Sequence, residues 1–375
     1  MVSFSHHSGA SMKKAFWAHS CLAFASALST SVLALPPAMA GEFTMPAPWT
    51  DNVSPELAAK YVYTEDGEFS QALKIPTYQW MPAAGTPNVI FLGIHGLTLH
   101  GRRFRVLART IAVNGDGFIS VDMRGFGRCK FDDKNQFSTP DDDRTKVNHH
   151  KSYDDIVALA KLIKQKYPNS KIVALGESLG CTFCVHLAAE HPELISGVVL
   201  SAPAVQLNKD MYAGSGQVVQ GLKAAVTPHH ELDLTSFFTE LCSRRDDVQK
   251  EMADDPLVVK KLSLEALFAT DAFCAKTAEF GKTTDPSLAV LILQGSADGC
   301  VAPKHVTELM NAMKSDDQCL NWCGNFGHLQ LETSFMRAQT IASIANWMNA
   351  HSQNRQNVMK IYQQQVTDLG GSVAK

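Results

Sequence analysis

Long basic runs are missing from this sequence, and so are stretches in which aromatic and basic residues alternate. The 375 residues include 34 lysines and arginines and 37 aspartates and glutamates, so the net charge is -3 at pH 7. A protein that binds nucleic acid needs a basic surface that neutralises phosphate groups. We therefore expect no nucleic-acid partner for this chain.

Pairs of metal ligands are also scarce. Cys319 and Cys323 have a spacing that occurs in zinc sites, but no second pair of cysteines or histidines stands at a suitable distance. A structural zinc ion needs four protein ligands, and one such pair supplies only two of them. The sequence therefore predicts no metal and no other cofactor.

Only one apolar run is long enough to cross a bilayer, and it lies near the first residue. Two lysines precede this run at residues 15–34, and the motif Ala-Met-Ala ends at Ala40. A basic start, an apolar stretch and small residues at a cleavage point are the features of a secretory signal peptide. We assign residues 1–40 to such a peptide and expect a periplasmic or secreted protein. The alternative, an uncleaved anchor, is disfavoured by two prolines that follow the run.

Export affects how the cysteines are interpreted, because disulfides form in oxidising compartments. Eight cysteines remain after residue 40, and an even number is typical of disulfide-bonded proteins. We expect one bridge to join Cys242 to Cys274 and a second to lie within the group Cys300, Cys319 and Cys323.

The most informative stretch is Lys171–Pro192, which reads KIVALGESLGCTFCVHLAAEHP. A short apolar run, a Gly-x-Ser-x-Gly turn around Ser178 and an apolar-periodic segment follow one another, which predicts a buried strand, a sharp turn and a helix. This setting exposes the serine hydroxyl above the sheet edge, as a nucleophile requires. The N–H group of Leu179 begins the helix and is placed to donate to an oxyanion. Cys181 and Cys184 are expected to be small buried apolar residues of that helix.

Apolar strands alternate with helical segments on both sides of this stretch. Strand-like runs precede it at Asn88–Ile94 and Phe118–Met123, and others follow it at Ile195–Ala202 and Ser287–Leu293. Such alternation predicts an α/β fold, with a mostly parallel sheet that helices cover on both faces.

One long segment interrupts the alternation. Residues 203–286 are polar and helical in character and contain no strand-like run, so we expect an inserted helical cap there. Residues 41–202 and 287–351 then form the core. Residues 352–375 are a polar tail to which we assign no function.

An exposed serine needs a base that takes its proton and an acid that orients the base. Asp298 follows the predicted strand Ser287–Leu293, and His328 follows the next strand. Because the carboxyl ends of parallel strands lie at one edge of a sheet, both side chains can reach Ser178. The chain order Ser, Asp, His is that of the α/β-hydrolases. We predict a catalytic triad of Ser178, Asp298 and His328.

The second oxyanion donor is expected in the loop after the strand Asn88–Ile94. The N–H group of Leu97 is our main candidate, and Thr98 is the alternative, through its N–H group or its hydroxyl. We interpret His95 as a structural residue that packs under this loop.

Other polar residues near the predicted site have structural interpretations. We expect Asp122 and Arg124 to fix neighbouring loops through a local ion pair. Glu177, beside the serine, is expected to be a buried, hydrogen-bonded loop anchor rather than an acid of the reaction.

These motifs together resemble the serine hydrolases of the α/β family that includes monoacylglycerol lipases, lysophospholipases and serine aminopeptidase-type proteins. The resemblance covers about residues 85–350 and rests on five motifs: HG-L-x-x-H-G at 95–101, D-x-R-G-F-G at 122–127, G-E-S-L-G at 176–180, Q-G-S-A-D-x-x-V at 294–301 and F-G-H at 326–328. It implies an α/β-hydrolase fold and a cap over an acyl-binding cleft. Cys129 departs from the family pattern, in which a serine is usual at that position.

We therefore expect an exported serine hydrolase that cleaves carboxylic esters, with monoacylglycerol- or lysophospholipid-like substrates implied by the resemblance. Transient contact with a membrane or micelle through the cap is expected as well. One alternative is a peptidase or amidase, in which Glu231, Asp233 or Glu240 would hold the substrate amine. The other is a hydrolase-fold protein that only binds a ligand, although an intact Ser–Asp–His set argues against it.

Overall fold

The structure, a computed structural model, describes residues 53–132, 137, 143–206, 229–237, 241–351, 360–361 and 363–367. The predicted signal peptide therefore lies outside the described residues, as does most of the predicted tail. Within the part of the chain that is described, no helix has both the length and the apolar character needed to cross a membrane.

Among the described residues, a central sheet of eight strands organises the molecule, and two further strands form a separate ribbon. In chain order the strands are β1 (Tyr61–Glu65), β2 (Thr77–Pro82), β3 (Val89–Ile94), β4 (Gly117–Val121), β5 (Lys171–Glu177), β6 (Gly197–Ser201), β7 (Glu231–Asp233), β8 (Lys261–Ser263), β9 (Ala289–Gly295) and β10 (Asp317–Cys323). The order across the sheet is β1-β2-β4-β3-β5-β6-β9-β10. Only β2 runs antiparallel to its neighbours β1 and β4, which confirms the predicted mostly parallel sheet.

Helices connect the strands. In the described part of the chain they include α1 (Pro55–Ala58), α2 (Glu68–Leu73), α3 (Arg105–Val113), α4 (Gly127–Phe131), α5 (His149–Lys166), α6 (Leu179–Glu190), α7 (Thr235–Phe237), α8 (Asp246–Asp254), α9 (Leu264–Cys274), α10 (Thr277–Gly281), α11 (Val306–Ala312) and α12 (Ala338–Ala350). Short 3₁₀ turns lie at Gly101–Phe104, Asp143–Thr145 and Pro303–His305.

Both faces of the sheet are covered, as an α/β fold requires. On one face α5 and α6 bury Ile156 and Phe183 in an apolar cluster with the strands. On the other face α3 and α12 bury Leu107 and Trp347. Cys181 and Cys184 are fully buried in the first cluster, as predicted for that helix.

The segment between β6 and β9 holds the predicted cap, and it contains strands that we did not predict. β7 and β8 pair antiparallel in a ribbon of three residues each, which is too short to leave a periodic pattern in the sequence. The later helices of this segment pack on the core. The hydroxyl of Thr270 lies 2.9 Å from Nε2 of His149, and the hydroxyls of Thr182 and Thr277 are 2.7 Å apart.

The structure corrects our pairing of cysteines. Cys242 lies against Cys300, with 3.3 Å between the two sulfur atoms. Cys274 is buried elsewhere, near Thr182, and Cys319 is exposed on β10. All eight described cysteines are free, so the pairing of Cys242 with Cys274 is wrong, and so is the expected second bridge within the group Cys300, Cys319 and Cys323. Residues far apart in sequence determine these contacts, so spacing alone could not indicate them.

Candidate active site

Ser178 lies at the turn between β5 and α6, where a strand changes abruptly into a helix. Its backbone has φ +55° and ψ -117°, a strained conformation that L residues rarely adopt. The N–H group of Ser178 donates to the carbonyl of Ser201 at 2.9 Å, and its own carbonyl accepts from the N–H of Cys181 at 3.0 Å. These bonds to a neighbouring strand and to the helix hold the turn in its strained shape.

The two glycines of the motif are required by close packing. A Cβ atom added to Gly180 would lie 1.9 Å from the carbonyl oxygen of Ile94, and one added to Gly176 would lie 2.5 Å from the carbonyl carbon of Gly180. Neither position can hold a larger residue without a shift of the backbone. The Gly-x-Ser-x-Gly pattern thus brings α6 close to β3 and β5.

His328 and Asp298 form a buried pair. Nδ1 of His328 lies 2.9 Å from Oδ2 and 3.1 Å from Oδ1 of Asp298. The carboxylate also accepts N–H bonds from Cys300 at 2.9 Å and Val301 at 3.1 Å, so its position is well determined. With Nδ1 donating to Asp298, Nε2 is the ring atom that can take a proton.

The charge of Asp298 affects the histidine strongly. Burial of the imidazole acts to lower its pKa, but the facing carboxylate and its hydrogen bond outweigh burial and raise the pKa of His328 to about 9. The pair therefore favours the imidazolium, the species that forms when the histidine accepts a proton.

Ser178 and His328, two of the predicted triad residues, line the same small cavity. Asp298, the third, does not line it and bonds to Nδ1 of His328. Most of the other wall residues are apolar: Leu97, Leu99, Phe237, Cys242, Met252 and Leu329, with Gly96, Thr98 and Glu332 completing the lining. The walls come from the core and from the segment between β6 and β9. An apolar chain fits this lining better than a charged group does.

Comparisons with known proteins agree with this geometry. Residues 85–332 match the family model described as serine aminopeptidase, S33. The chain belongs to this family. Monoglyceride lipase from Mus musculus is 25% identical over 272 residues, which cover 72% of this chain and 85% of that protein.

Solved structures show the same fold at lower identity. A soluble variant of monoglyceride lipase from Saccharomyces cerevisiae, in complex with a substrate analogue, has a TM-score of 0.61 at 19% identity and covers 81% of this chain and 97% of that chain. A thermostable carboxyl esterase from Bacillus coagulans, in complex with glycerol, has a TM-score of 0.60 at 16% identity. The match covers 77% of this chain and 98% of the esterase chain. Both likenesses identify an α/β-hydrolase fold.

In this S33 family member, the loop after β3 carries the predicted oxyanion donor Leu97. The N–H group of Gly96 donates to Oε2 of Glu332 at 2.8 Å. Thr98 has φ +71°, and its carbonyl accepts from the N–H of Val259 at 2.9 Å. Two contacts therefore fix the loop: one from the buried carboxyl group of Glu332, and one from Val259 in the segment that follows β6.

Glu332 is the residue of the site that sequence reasoning missed. It is fully buried, and burial together with the neighbouring Glu177 carboxylate raises its pKa well above the usual range. Its position four residues after His328 was the only available signal, and a glutamate in a polar loop is normally a solvated residue.

Two structural interpretations from the sequence are confirmed. Nδ1 of His95 lies 2.8 Å from the carbonyl of Gly96, and Nε2 accepts the N–H of Met123 at 2.9 Å. Burial lowers the pKa of His95 to about 4, which keeps this ring neutral. The carboxylate of Glu177 accepts the hydroxyl of Ser201 at 2.7 Å and backbone N–H groups of the loop after His328.

The predicted ion pair between Asp122 and Arg124 is wrong. Arg124 pairs with Asp143 and Asp155 instead, each at 2.7 Å. Asp122 accepts the hydroxyl of Tyr78 and the N–H groups of Gly101 and Arg128, at 2.7 to 2.8 Å. Both residues fix loops as expected, but their side chains bond to different elements, Asp122 to β2 and the turn at Gly101, and Arg124 to Asp143 and to α5.

A buried ionic cluster, which we call the insert–core junction, joins α8 and the residue after it to the core. Arg103 lies 3.0 Å from Asp255 and 3.3 Å from Glu251, and its side chain is fully buried. His100 lies 2.9 Å from the same oxygen of Asp255. Burial acts to raise the pKa of Asp255, but His100 and Arg103 outweigh it and lower this pKa to about 2.

Groups that could hold a metal occur together at one place among the described residues, namely Asp298, Cys300 and His328. The Asp298 oxygens already accept hydrogen bonds from His328, Cys300 and Val301, so they are not free for a metal ion. The absence of a cofactor stays a prediction.

Proposed function

We propose that this protein is an exported serine hydrolase that cleaves carboxylic esters with a single acyl chain. The observation that carries the proposal is the shared cavity: the strained Ser178 and the Asp298-bound His328 face one space whose remaining lining is mainly apolar. Membership of the S33 family and similarity to monoglyceride lipases support ester hydrolysis.

The reaction follows from the positions of these groups. Ser178 attacks the ester carbonyl while Nε2 of His328 takes the hydroxyl proton, and Asp298 stabilises the imidazolium that results. His328 then gives the proton to the leaving alcohol, which leaves an acyl group on Ser178. Water attacks this acyl-enzyme by the same route and releases the acid. The N–H groups of Leu97 and Leu179 donate to the oxyanion at both stages.

The lining and the relatives support the proposed substrate class. Leu97, Phe237, Met252 and Leu329 offer apolar contacts to an acyl chain. The similar proteins from Mus musculus and Saccharomyces cerevisiae are named as monoglyceride lipases. We extend this to monoacylglycerol- and lysophospholipid-like esters for this chain, reached through a cap that contacts a membrane or micelle transiently.

Export is part of the same proposal and rests on residues 1–40. Fractionation of a bacterial host that expresses the full chain should find the protein in the periplasm or medium, shortened by about 40 residues, as the position of the Ala-Met-Ala motif requires. A full-length protein that stays in the membrane fraction would favour the uncleaved anchor.

The peptidase alternative finds little support at the site. Glu231 and Asp233 are exposed on the ribbon strand β7 and do not line the cavity, and Glu240 lies outside the described residues. A peptidase would turn over an amino-acid anilide without preferring esters. The test therefore compares such an anilide with esters of equal acyl length.

The deciding experiment measures hydrolysis of a p-nitrophenyl ester series, from short to long acyl chains, together with labelling by a fluorophosphonate. Wild-type protein should turn over the esters and take the label, and Ser178→Ala should lose both by at least about 10³-fold. Ser196→Ala, at a serine outside the cavity, is the matched control. If folded wild-type protein neither reacts nor labels, the hydrolase proposal fails and the ligand-binding alternative replaces it.

A further inference from the structure

Two cysteines meet between the insert and the loops that carry the catalytic acid and base. Cys242 and Cys300 are 58 residues apart in the chain, yet their sulfur atoms are 3.3 Å apart. Each residue is only 2% exposed. They share a small apolar cluster with Leu99, Val248, Met252, Val258 and Leu329.

Each of these cysteines is bonded through its backbone to one member of the triad. The N–H group of Cys300 donates to Oδ1 of Asp298 at 2.9 Å. The carbonyl of Cys242 accepts the N–H of His328 at 2.9 Å. The backbones on either side of the two cysteines also pack closely. A Cβ atom added to Gly299 would lie 2.9 Å from the carbonyl oxygen of Leu241, and a Cβ atom added to Gly327 would lie 2.9 Å from the carbonyl oxygen of Cys242.

We propose that Cys242 and Cys300 form a disulfide that ties the insert to the loops of Asp298 and His328. A disulfide requires the sulfurs to approach by little more than about 1 Å from their present separation. The two thiols lose two electrons and two protons, and a low-molecular-weight disulfide such as oxidised glutathione takes them and becomes two thiols. A mixed disulfide with one cysteine forms first, and the second cysteine displaces the glutathione.

The bond is expected to form while the chain folds. Burial raises the pKa of the Cys300 thiol well above its usual range, so the thiolate that exchange requires is scarce once the protein is folded. The proposal does not depend on ester hydrolysis. It concerns the covalent state of the chain alone.

Peptide mapping tests the pairing directly. The full chain is folded in a glutathione redox buffer and in parallel under dithiothreitol, alkylated in denaturant and digested without reduction. The oxidised sample should yield a peptide pair that joins Cys242 to Cys300 and that dithiothreitol removes. Alkylation of both residues in the folded, oxidised sample, or a bond from either of them to Cys274, would overturn the proposal.

Thermal unfolding tests the consequence. Reduction of the oxidised wild-type protein should lower the Tm by roughly 5 °C or more, because the bond closes a long loop. Cys300→Ala should abolish this dependence on reductant. Cys274→Ala, which removes a buried thiol that the structure does not place against Cys242, should keep it. If Cys274→Ala abolishes the dependence and Cys300→Ala does not, the stabilising bond lies elsewhere.

A separate observation concerns Thr98, and it rests on the proposed function. Thr98 is fully buried and lines the cavity with Ser178 and His328, yet within the described residues its hydroxyl has no hydrogen-bond partner. Its φ of +71° is costly for a β-branched residue, and glycine would adopt it without strain. A strained residue with an unpartnered hydroxyl at a reaction cavity is expected to have its partner in the reacting molecule.

We infer that the Thr98 hydroxyl is a third donor to the oxyanion, beside the N–H groups of Leu97 and Leu179. Thr98→Val keeps the shape and removes only the donor, and its kcat for a p-nitrophenyl ester should fall by about 10²-fold with KM nearly unchanged. Thr98→Ser should restore kcat to within about threefold of wild type, in line with the retained hydroxyl.

The variants separate this inference from the proposed function. An active wild-type protein with equal kcat in Thr98→Val would overturn the role of the hydroxyl alone. A wild-type protein without ester turnover would instead overturn the proposed function. The Tm of Thr98→Val should match or exceed that of wild type, since a buried hydroxyl without a partner costs stability.

Discussion

The elbow around Ser178 and the insert–core junction are both buried, but they are stabilised in different ways. The elbow depends on uncharged backbone packing: its two glycines have no room for a side chain, one of them against Ile94 of β3, and the backbone of Ser178 bonds to Cys181 and to Ser201 of the next strand. The junction depends on charges about 150 residues apart, since Arg103 meets Glu251 and Asp255. A short motif therefore shapes the turn at Ser178, whereas the attachment of the insert to the core depends on long-range electrostatics.

The largest expected effect concerns chemistry at the sheet edge. Asp298→Asn should lower kcat by about 10³- to 10⁴-fold, because an amide no longer stabilises the imidazolium or the required tautomer of His328. Circular dichroism should show an unchanged fold, and Asp316→Asn, at an exposed residue, is the control. Retention of more than a tenth of the activity would mean that Asp298 is not the triad acid.

Substitution at the insert–core junction should lower the stability of the fold rather than the rate of the reaction. Arg103→Met removes the buried cation that Glu251 and Asp255 share and leaves them, among the described residues, only Arg105 and His100 as basic partners, which should cost about 3–5 kcal/mol in the free energy of unfolding. Lys250→Met removes an exposed pair with Asp254 and should cost less than about 0.5 kcal/mol. Urea titrations of both variants measure the difference. Equal midpoints would show that the junction carries no net stability.

Packing at the elbow is tested by adding one methyl group. Gly180→Ala places a Cβ atom 1.9 Å from the carbonyl of Ile94, which no rotamer change can relieve. We expect a loss of about 3 kcal/mol, measured by chemical denaturation, and a loss of activity as α6 moves away from β3. Gly324→Ala, where a Cβ atom meets nothing within 4 Å, should be nearly neutral. A stable, active Gly180→Ala variant would contradict the close approach.

The pH dependence of kcat/KM tests the electrostatic interaction between Asp298 and His328. His328 must be neutral to act as a base, and its pKa is raised to about 9, so kcat/KM should rise between about pH 6.5 and pH 9. The same shift means that its pairing with Asp298 stabilises the fold fully below about pH 6.5 and loses that contribution as the pH passes through about 9. A rate that is already constant at pH 6 would contradict the raised pKa.

The smallest effect is expected at Glu332. A raised pKa favours the protonated carboxyl group, which an amide resembles in charge, and either group can accept the N–H of Gly96. Glu332→Gln should therefore change kcat less than about threefold near neutral pH, whereas Glu332→Ala, which frees the loop of Leu97, should lower it about tenfold or more. An equal loss in both variants would show that the charge is essential.

Much of this arrangement could be predicted from the sequence because its signals are local. The strand–turn–helix setting of Ser178 and the order of Asp298 and His328 at strand ends led to the groups that the structure brings together. The ribbon β7–β8 was missed because three residues form no periodic pattern. The predicted pair of Asp122 with Arg124 was wrong because closeness in sequence does not show which elements two side chains will meet, and these two bond to different elements.

By itself, the sequence determined the mostly parallel sheet, the sharp turn at Ser178 and the chain order of Ser178, Asp298 and His328, because apolar periodicity and the Gly-x-Ser-x-Gly spacing are local patterns. Only the tertiary structure decided that Cys242 meets Cys300, that Glu332 holds the N–H of Gly96 and that Arg103 joins the insert to the core. Each of these contacts joins residues 58 or more positions apart. They arise from the way the loops pack above the sheet edge, and no local pattern records which loops will meet there.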